Sequence, residues 1–430
     1  MKITKIAAAL SLATISISAF ATNGYFSHGY GIRAKGMGGV GIAFSEDAMG
    51  GATNPANMAN VGARVDFGVD LFMPDRTATW TQSPVGLGSP PLGDNRSGKR
   101  LFAIPEFAYN HALANDSTIG VVVYGNGGMN TAYDKALIPG AAAATNTYSN
   151  LEQLFIAPTW SKKLNSNHTV GVSLNLVRQT FEAHGLQAFA GVSTSGADLT
   201  DRGTDVSTGW GVKLGWTGKI TDAVTLGATY QSETRMSKFD RYKGLFAEQG
   251  KFNIPSSWGL GLSVKATPTT TIAADILHID YSSIRALSNS SAVHPAMTGG
   301  AAGPNALGAA GGAGFGWKDQ TVYKFGVVHQ YSQNLVLRAG YNYGKMPLDD
   351  KNTFFNILAP ATVEQHLTFG GTWTLSNKSE LTVSYVHAFN KALSGNGGDG
   401  TTGAINGQAG WPVNLKMHQN SLGVAYGWKM

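Results

Sequence analysis

The side chains of this 430-residue chain that could do chemistry are cations, aromatics and glycines rather than nucleophiles. There is no cysteine, which removes disulfides and thiolate metal sites together. The ten histidines are dispersed without a His-x-x-x-His pair, and no carboxylate cluster suggests a metal or an acid–base couple. No catalysis, cofactor or metal is therefore expected. Gly36-Met37-Gly38-Gly39-Val40-Gly41 matches G-x-G-x-x-G, but dinucleotide binding needs a strand before it and a helix after it. Neither pattern is present, and close backbone packing explains the glycines. Lys213, Lys324 and Arg338 remain as cations that could hold an acidic group, since a carboxylate in apolar surroundings needs a cation or several donors. Balance by carboxylates such as Asp66, Asp70 and Glu233 is the competing reading.

The elements that must position these groups follow from composition and period. Charged residues make up 13%, about half the share usual in a soluble domain, while Gly reaches 56 residues and aromatics 10%. The net charge of +6 is scattered, so nucleic acid is not an expected partner. Lys2 and Lys5 precede an uncharged, largely apolar stretch over residues 6–20, and Ala19-Phe20-Ala21 has a small-x-small pattern. That stretch is shorter than the roughly 20 residues a spanning helix needs. It reads as a signal peptide over residues 1–21, cleaved before Thr22.

From Arg64 onward the period is two. Val65, Phe67, Val69, Leu71 and Met73 alternate with Asp66, Gly68, Asp70 and Phe72; Trp210, Val212, Leu214 and Trp216 alternate with Gly211, Lys213 and Gly215. Alternate residues of a strand point to opposite faces. Short polar turns near residues 114–117, 165–167, 221–222, 267–270, 332–334 and 376–378 are separated by long irregular segments near 82–100, 132–150, 187–207, 237–253, 283–318, 346–360 and 391–415. Six turns and seven loops predict about 14 strands, with turns in the periplasm and loops outside. Closure satisfies every backbone hydrogen bond in lipid. Trp80, Trp160 and Trp210 are expected near the membrane boundaries. Leu422, Val424, Tyr426, Trp428 and Met430 share one face of a final strand of the kind the barrel-assembly machinery reads, although that signal usually ends on an aromatic.

Residues 22–62 do not alternate; they are rich in Gly and Ala and read as a plug ahead of a barrel over residues 63–430. Here the chain resembles a known family. Residues 34–41, Glu46-Asp47-Ala48 and Asn54-Pro55-Ala56 resemble the N-terminal hatch of FadL/TodX outer-membrane transporters of long-chain fatty acids and aromatic hydrocarbons. Pro105-Glu106-Phe107-Ala108-Tyr109-Asn110 and residues 124–131 resemble that family's second and third strands. The resemblance implies an all-β fold, a closed antiparallel transmembrane barrel of about 14 strands with the hatch inside its lumen. It also implies a route: capture by external loops, binding within the barrel, hatch rearrangement, and lateral exit at an inward kink of the third strand. Asn54, Pro55 and Ala56 match the hatch motif, and Gly125, Asn126, Gly127 and Gly128 match the kink. Tyr25 and Phe26 match the family's ligand-contacting N-terminal aromatic, and Arg178 falls at the fifth-strand arginine, although alternation puts it on the lipid face with Leu174 and Leu176. The expected partners are fatty acids, alkanes or aromatics, outer-membrane lipid and the assembly machinery, around a monomer in the outer membrane. A general diffusion porin and a surface adhesin are the alternatives; the Gly/Ala-rich stretch over residues 301–316 suits an external loop under any of these readings.

Overall fold

The structure is a computed structural model that describes residues 23–81, 92–138, 146–291, 300–395 and 413–430; the expected signal peptide lies outside them. Among the described residues the sequence alternation becomes sixteen strands: β1 (Arg64–Trp80), β2 (Gly93–Arg96), β3 (Phe102–Ala112), β4 (Ser117–Tyr133), β5 (Thr147–Lys163), β6 (His168–His184), β7 (Asp205–Lys219), β8 (Val224–Gln231), β9 (Arg235–Met236), β10 (Ser257–Thr267), β11 (Thr270–Ile279), β12 (Gln320–Ser332), β13 (Leu335–Gly344), β14 (Gln365–Thr374), β15 (Glu380–Leu393) and β16 (Val413–Lys429). β2 only extends the edge of β1, and β9 that of β7. The other fourteen form a wall in which each strand pairs antiparallel with its neighbours in the sequence order of the wall. The wall closes where β1 meets β16, from Arg64↔Lys429 to Trp80↔Val413. That closure leaves no free edge between the first and last wall strands.

The two faces separate as the period requires. In β6, Val172, Leu174 and Leu176 are exposed on the outside, while Ser173, Asn175 and Gln179 are buried inside. Exposed aromatics such as Trp160, Trp210, Trp258, Tyr323 and Phe369 continue the outer face around the wall. Trp80 departs from the expected boundary position. It has the parity of Asp66 and Asp70, so it points inward, is 1% exposed, and donates its Nε1 to Leu137 O at 3.1 Å. Residues 300–316 lie between β11 and β12, where a long loop is expected, and they are packed. Leu307 and Phe315 are buried in the large apolar cluster inside the barrel, and Thr194 N donates to Leu307 O at 2.9 Å.

Residues 23–62 carry no wall strand. They contain the short helix Ile32–Lys35 and two 3-10 turns, Ala48–Ala52 and Pro55–Asn60, and almost every residue from 23 to 59 is buried. Asn54 starts the second turn: its extended backbone (φ −142°) and a side chain accepting from Ala56 N make the cap, and Pro55 takes the first helical position, where no N–H is needed. Among the described residues no helix is long and apolar enough to cross a membrane.

Candidate functional site

The wall holds the hatch through its inward polar residues. Asp275 accepts from Gly41 N (2.7 Å) and Ile42 N (3.1 Å), Asp66 from Ala48 N (2.9 Å), and Glu106 from Ile32 N (2.8 Å). Lys35 pairs with Asp70 at 2.7 Å and Arg33 with Glu380 at 2.6 Å. Asn54 Nδ2 donates to Ile42 O at 2.7 Å and to Trp216 O of β7 at 3.0 Å, tying the hatch to itself and to the wall. A Cβ at Gly215 would overlap Asn54 Oδ1, and one at Gly171 would press on Pro55 and Ala56, so the wall is glycine where the motif lies against it. Residues 31–62 are therefore fixed by buried, charge-assisted contacts.

Residues 23–30 are held differently, and β4 is the reason. The other long wall strands alternate in burial, but β4 is buried on both faces over residues 122–131, so it has left the wall for the interior. Its pairing with β3 stops at Phe107↔Val123. On the other side its pairing with β5 continues, with a register shift between Gly125↔Leu154 and Gly127↔Gln153 that leaves Asn126 as the extra residue. The edge abandoned by β3 is taken by the hatch. Ser27 N donates to Asn126 O at 2.9 Å, Gly128 N to Tyr25 O at 3.1 Å, and Phe26 bridges Gly127. A Cβ at Gly127 would overlap Tyr25 O, so only glycine permits this approach. Pro105 lies in the matching unpaired stretch of β3, an edge where a missing N–H is tolerated. Beyond this break in pairing, Gly98 N donates to Ala132 O at 2.7 Å and Ser97 N to Arg76 O at 2.9 Å, so the chain after β2 takes over the edge of β4 towards the loops.

An apolar, aromatic interior adjoins this break in pairing. Tyr25 and Phe26 are buried, with the Tyr25 ring centroid 5.6 Å from Tyr281, 6.0 Å from Trp317 and 6.5 Å from Phe252. Tyr30 stands 4.7 Å from Tyr124, and its hydroxyl donates to Asn126 Oδ1 at 2.5 Å. Asn126 Nδ2 in turn donates to Gln153 Oε1 at 3.0 Å. The bulged residue thus couples the hatch terminus to the wall through its side chain as well as its backbone. His28 stacks on His366 at 5.6 Å; burial first, and then His366 beside it, hold the His28 pKa well below its ordinary value.

The cations divide by partner. Arg338 pairs with Glu46 of the hatch at 2.6 Å and donates to Thr372 at 2.7 Å, which makes it a hatch anchor rather than a free head-group site. Lys324 Nζ donates to Gly39 O at 3.1 Å and is likewise spent on the hatch. Lys213 donates to Ala52 O, lies 5.8 Å from the rings of both Tyr30 and Tyr124, and among the described residues has no carboxylate in ion-pair distance. Arg178 is exposed on the outer face beside Leu174 and Leu176, at the end of an outward groove that also includes Trp210. The alternation of β6 prevails over the role suggested by resemblance: β6 keeps a constant register with β5 and β7 around Arg178, so nothing turns the side chain inward and it does not anchor a ligand in the interior. Sequence reasoning also missed a rim cluster of His278, Asp280 and Asp319, whose ligand atoms lie within 4.8 Å of one another. Asp319 there already accepts from Ser282 N at 2.8 Å, and His278 Nε2 lies 3.3 Å from Asp280. Tyr30, Tyr281 and Trp317 carry no local sequence signal either, because only the folded chain brings them to the hatch terminus.

Comparison with known proteins agrees with this architecture. The family described as "Outer membrane protein transport protein (OMPP1/FadL/TodX)" matches residues 10–427. The crystal structure of the P. putida toluene transporter TodX superposes with a TM-score of 0.68 at 18% identity, covering 94% of this chain and 99% of that one. A Pseudomonas aeruginosa FadL homologue gives 0.69 at 16% identity, and the Ralstonia pickettii toluene transporter TbuX 0.62 at 16%, with the same coverages. No curated protein sequence matches significantly. At such identities the structural likeness speaks for the fold, and the family match spans nearly the whole chain: this chain belongs to the OMPP1/FadL/TodX family of outer-membrane transport proteins.

Proposed function

We propose that this protein takes up hydrophobic small molecules across the outer membrane and releases them sideways through the gap between β3 and β4, with residues 23–30 as the stopper. In this reading it is exported with removal of residues 1–21, inserted by the barrel-assembly machinery, and works as a monomer in outer-membrane lipid. The observation that carries the proposal is the substitution of strands at the kink: hatch residues 25–27, not β3, occupy the edge of β4 at residues 126–128. A stopper held by main-chain bonds and uncharged side-chain contacts can leave without unzipping the wall, whereas residues 31–62 cannot move without breaking buried ion pairs. The aromatic interior around Tyr25, Phe26, Tyr281 and Trp317 supplies a surface for an apolar ligand. Lateral release suits such a ligand, because re-entering water costs about 0.8 kcal/mol per CH₂, roughly 10 kcal/mol for a long acyl chain. A lumen filled by an anchored hatch favours this route over general diffusion.

The test is deletion of Asn126, the residue that sets the β4–β5 register shift. A regular β4 is expected to extend its pairing with β3, to retain ligand binding by the purified protein, and to abolish uptake in cells lacking other routes. Unchanged uptake by a variant whose wall is shown to be closed refutes lateral release.

A further inference from the structure

The outer face carries two arginines that the barrel itself does not use. Arg178 of β6 and Arg235 of β9 are exposed, and among the described residues neither has a carboxylate within ion-pair distance. The neighbouring acids are engaged by neutral partners: Glu152, opposite Thr180, accepts from Asn150 Nδ2 at 3.1 Å, and Glu233 accepts from Asn253. The arginines flank Trp210. Arg178 lies opposite Thr208 of β7, and Trp210, two residues further along β7, lies opposite Arg235. Cross-strand partners share a face, so the three side chains leave the barrel on the same side. With strands about 4.8 Å apart and a rise of about 3.4 Å per residue, the two arginines start roughly 12 Å from each other.

Their height in the membrane follows from the connections. Residues 164–167 join β5 to β6 by a short turn and residues 185–204 join β6 to β7 by a long one, so Arg178 lies toward the external end. Below it the outward residues Val170, Val172, Leu174 and Leu176 are all apolar. From Val170 to Leu176 the strand rises about 20 Å, close to the apolar band of about 25 Å. Arg178 and Arg235 therefore stand with Trp210 at the boundary of the outer leaflet, where a charge on the lipid face is tolerated. Just beneath Arg178 the wall is recessed. Leu154 and Ile156 of β5 are half-buried, Leu174, Leu176 and Trp210 stand out at 43%, 43% and 55% exposed, and an apolar groove of about 580 Å³ runs among them to Arg178. Small-molecule sites occupy roughly 300–1,000 Å³, so the recess is large enough to seat part of a lipid.

We propose that this face binds a molecule of lipid A in the outer leaflet. One phosphate takes the Arg178 guanidinium through two parallel hydrogen bonds, and the second, at the other end of the glucosamine disaccharide, takes Arg235. The sugar lies over Trp210, and an acyl chain descends the groove along Leu154, Ile156, Leu174 and Leu176. Charge selects this occupant. Two separated cations above an acyl groove match an acylated head group with two phosphates, whereas a glycerolipid with one phosphate engages only one of them. The site lies on the outer face from β5 to β9 and does not depend on the passage between β3 and β4.

The experiment titrates the purified full-length barrel, in a nonionic detergent, with diphosphoryl lipid A, with monophosphoryl lipid A and with phosphatidylglycerol, and reads the bound fraction by native mass spectrometry. The wild type is expected to bind the diphosphoryl form about tenfold more tightly than the monophosphoryl form, as one charge-assisted contact allows, and phosphatidylglycerol more weakly than either. Arg178→Gln and Arg235→Gln should each abolish the advantage of the second phosphate, and the double variant should bind both forms of lipid A alike. Arg202→Gln, at an exposed loop cation 3.9 Å from Asp198, should keep the wild-type order. Heat-modifiable migration verifies that each variant is assembled, and the wild-type order tests the proposal without any variant. Phosphatidylglycerol bound as tightly as diphosphoryl lipid A would reduce the site to a non-selective anionic boundary. An unchanged diphosphoryl advantage in the double variant would remove the arginines from recognition. Either result overturns the proposal.

Discussion

Replacing Asn54 by Ala should loosen the hatch while leaving the barrel intact, and the size of the effect follows from its contacts. The side chain is fully buried, donates to Ile42 O and Trp216 O, and accepts from Ala56 N at 3.0 Å. Loss of a helix-capping side chain costs about 1 kcal/mol. Stranding a buried carbonyl such as Ile42 O adds about 1–3 kcal/mol. A total of about 3 kcal/mol is charged to hatch opening rather than to the wall, because the ladder from β7 to β8 is made by main-chain bonds that do not involve the hatch. An opening equilibrium shifted by about 3 kcal/mol is favoured roughly a hundredfold. The readout is hydrogen exchange at the Gly41 and Ile42 amides, which bond Asp275, alongside heat-modifiable migration as the measure of barrel assembly. Faster exchange by roughly two orders of magnitude with normal migration, and reduced uptake, is expected. Unchanged exchange at both amides, or a barrel that no longer assembles, would refute the reasoning that the motif staples hatch to wall.

Two further outcomes follow. Gly127→Val places a Cβ on Tyr25 O, so residues 25–27 must leave β4: exchange at the Ser27 and Gly128 amides should rise sharply while the β4–β5 pairing stays protected. Acid should act on the same segment through His28, whose pKa in the folded protein lies below the unfolded value of about 6.5. The stability it contributes is full above that value and is lost as the pH falls through the window beneath it, by up to about 2 kcal/mol at pH 5. The charges nearest His28 are His366, Lys35 and Lys324, none of which offsets a new positive charge. Exchange at Ser27, corrected for intrinsic rate, should therefore accelerate between pH 7 and pH 5 in the wild type and respond much less in His28→Asn.

The wall was legible in the sequence because its signal is local. A period of two, six polar turns and an uncharged outer face suffice to place fourteen strands, and the same rule correctly put Arg178 outside against the suggestion of resemblance. Parity also put Lys213, Lys324 and Arg338 inside, but it could not say what they hold. Their partners Ala52, Gly39 and Glu46 lie more than 150 positions away in the chain, and no local pattern encodes such a contact. The glycines single out residues 125–128 in the sequence, but only the pairing of β4 with β5 shows a register shift there with Asn126 as the extra residue. Trp80 misled because tryptophan suggests a membrane boundary, while its place in the β1 alternation already pointed it inward.

The central claim is that residues 23–30 must detach from β4 for a ligand to pass. Ser27 N donates to Asn126 O at 2.9 Å beside the short antiparallel bridge of Phe26 with Gly127, so a cross-link between these two positions ties the hatch terminus to β4. The chain has no other cysteine, so Ser27→Cys with Asn126→Cys gives a single defined cross-link. Uptake of a labelled hydrophobic ligand, measured in cells before and after reduction, should be blocked in the oxidised protein and restored by reductant, with each single variant active throughout. Undiminished uptake by a protein shown to be fully cross-linked would contradict the account.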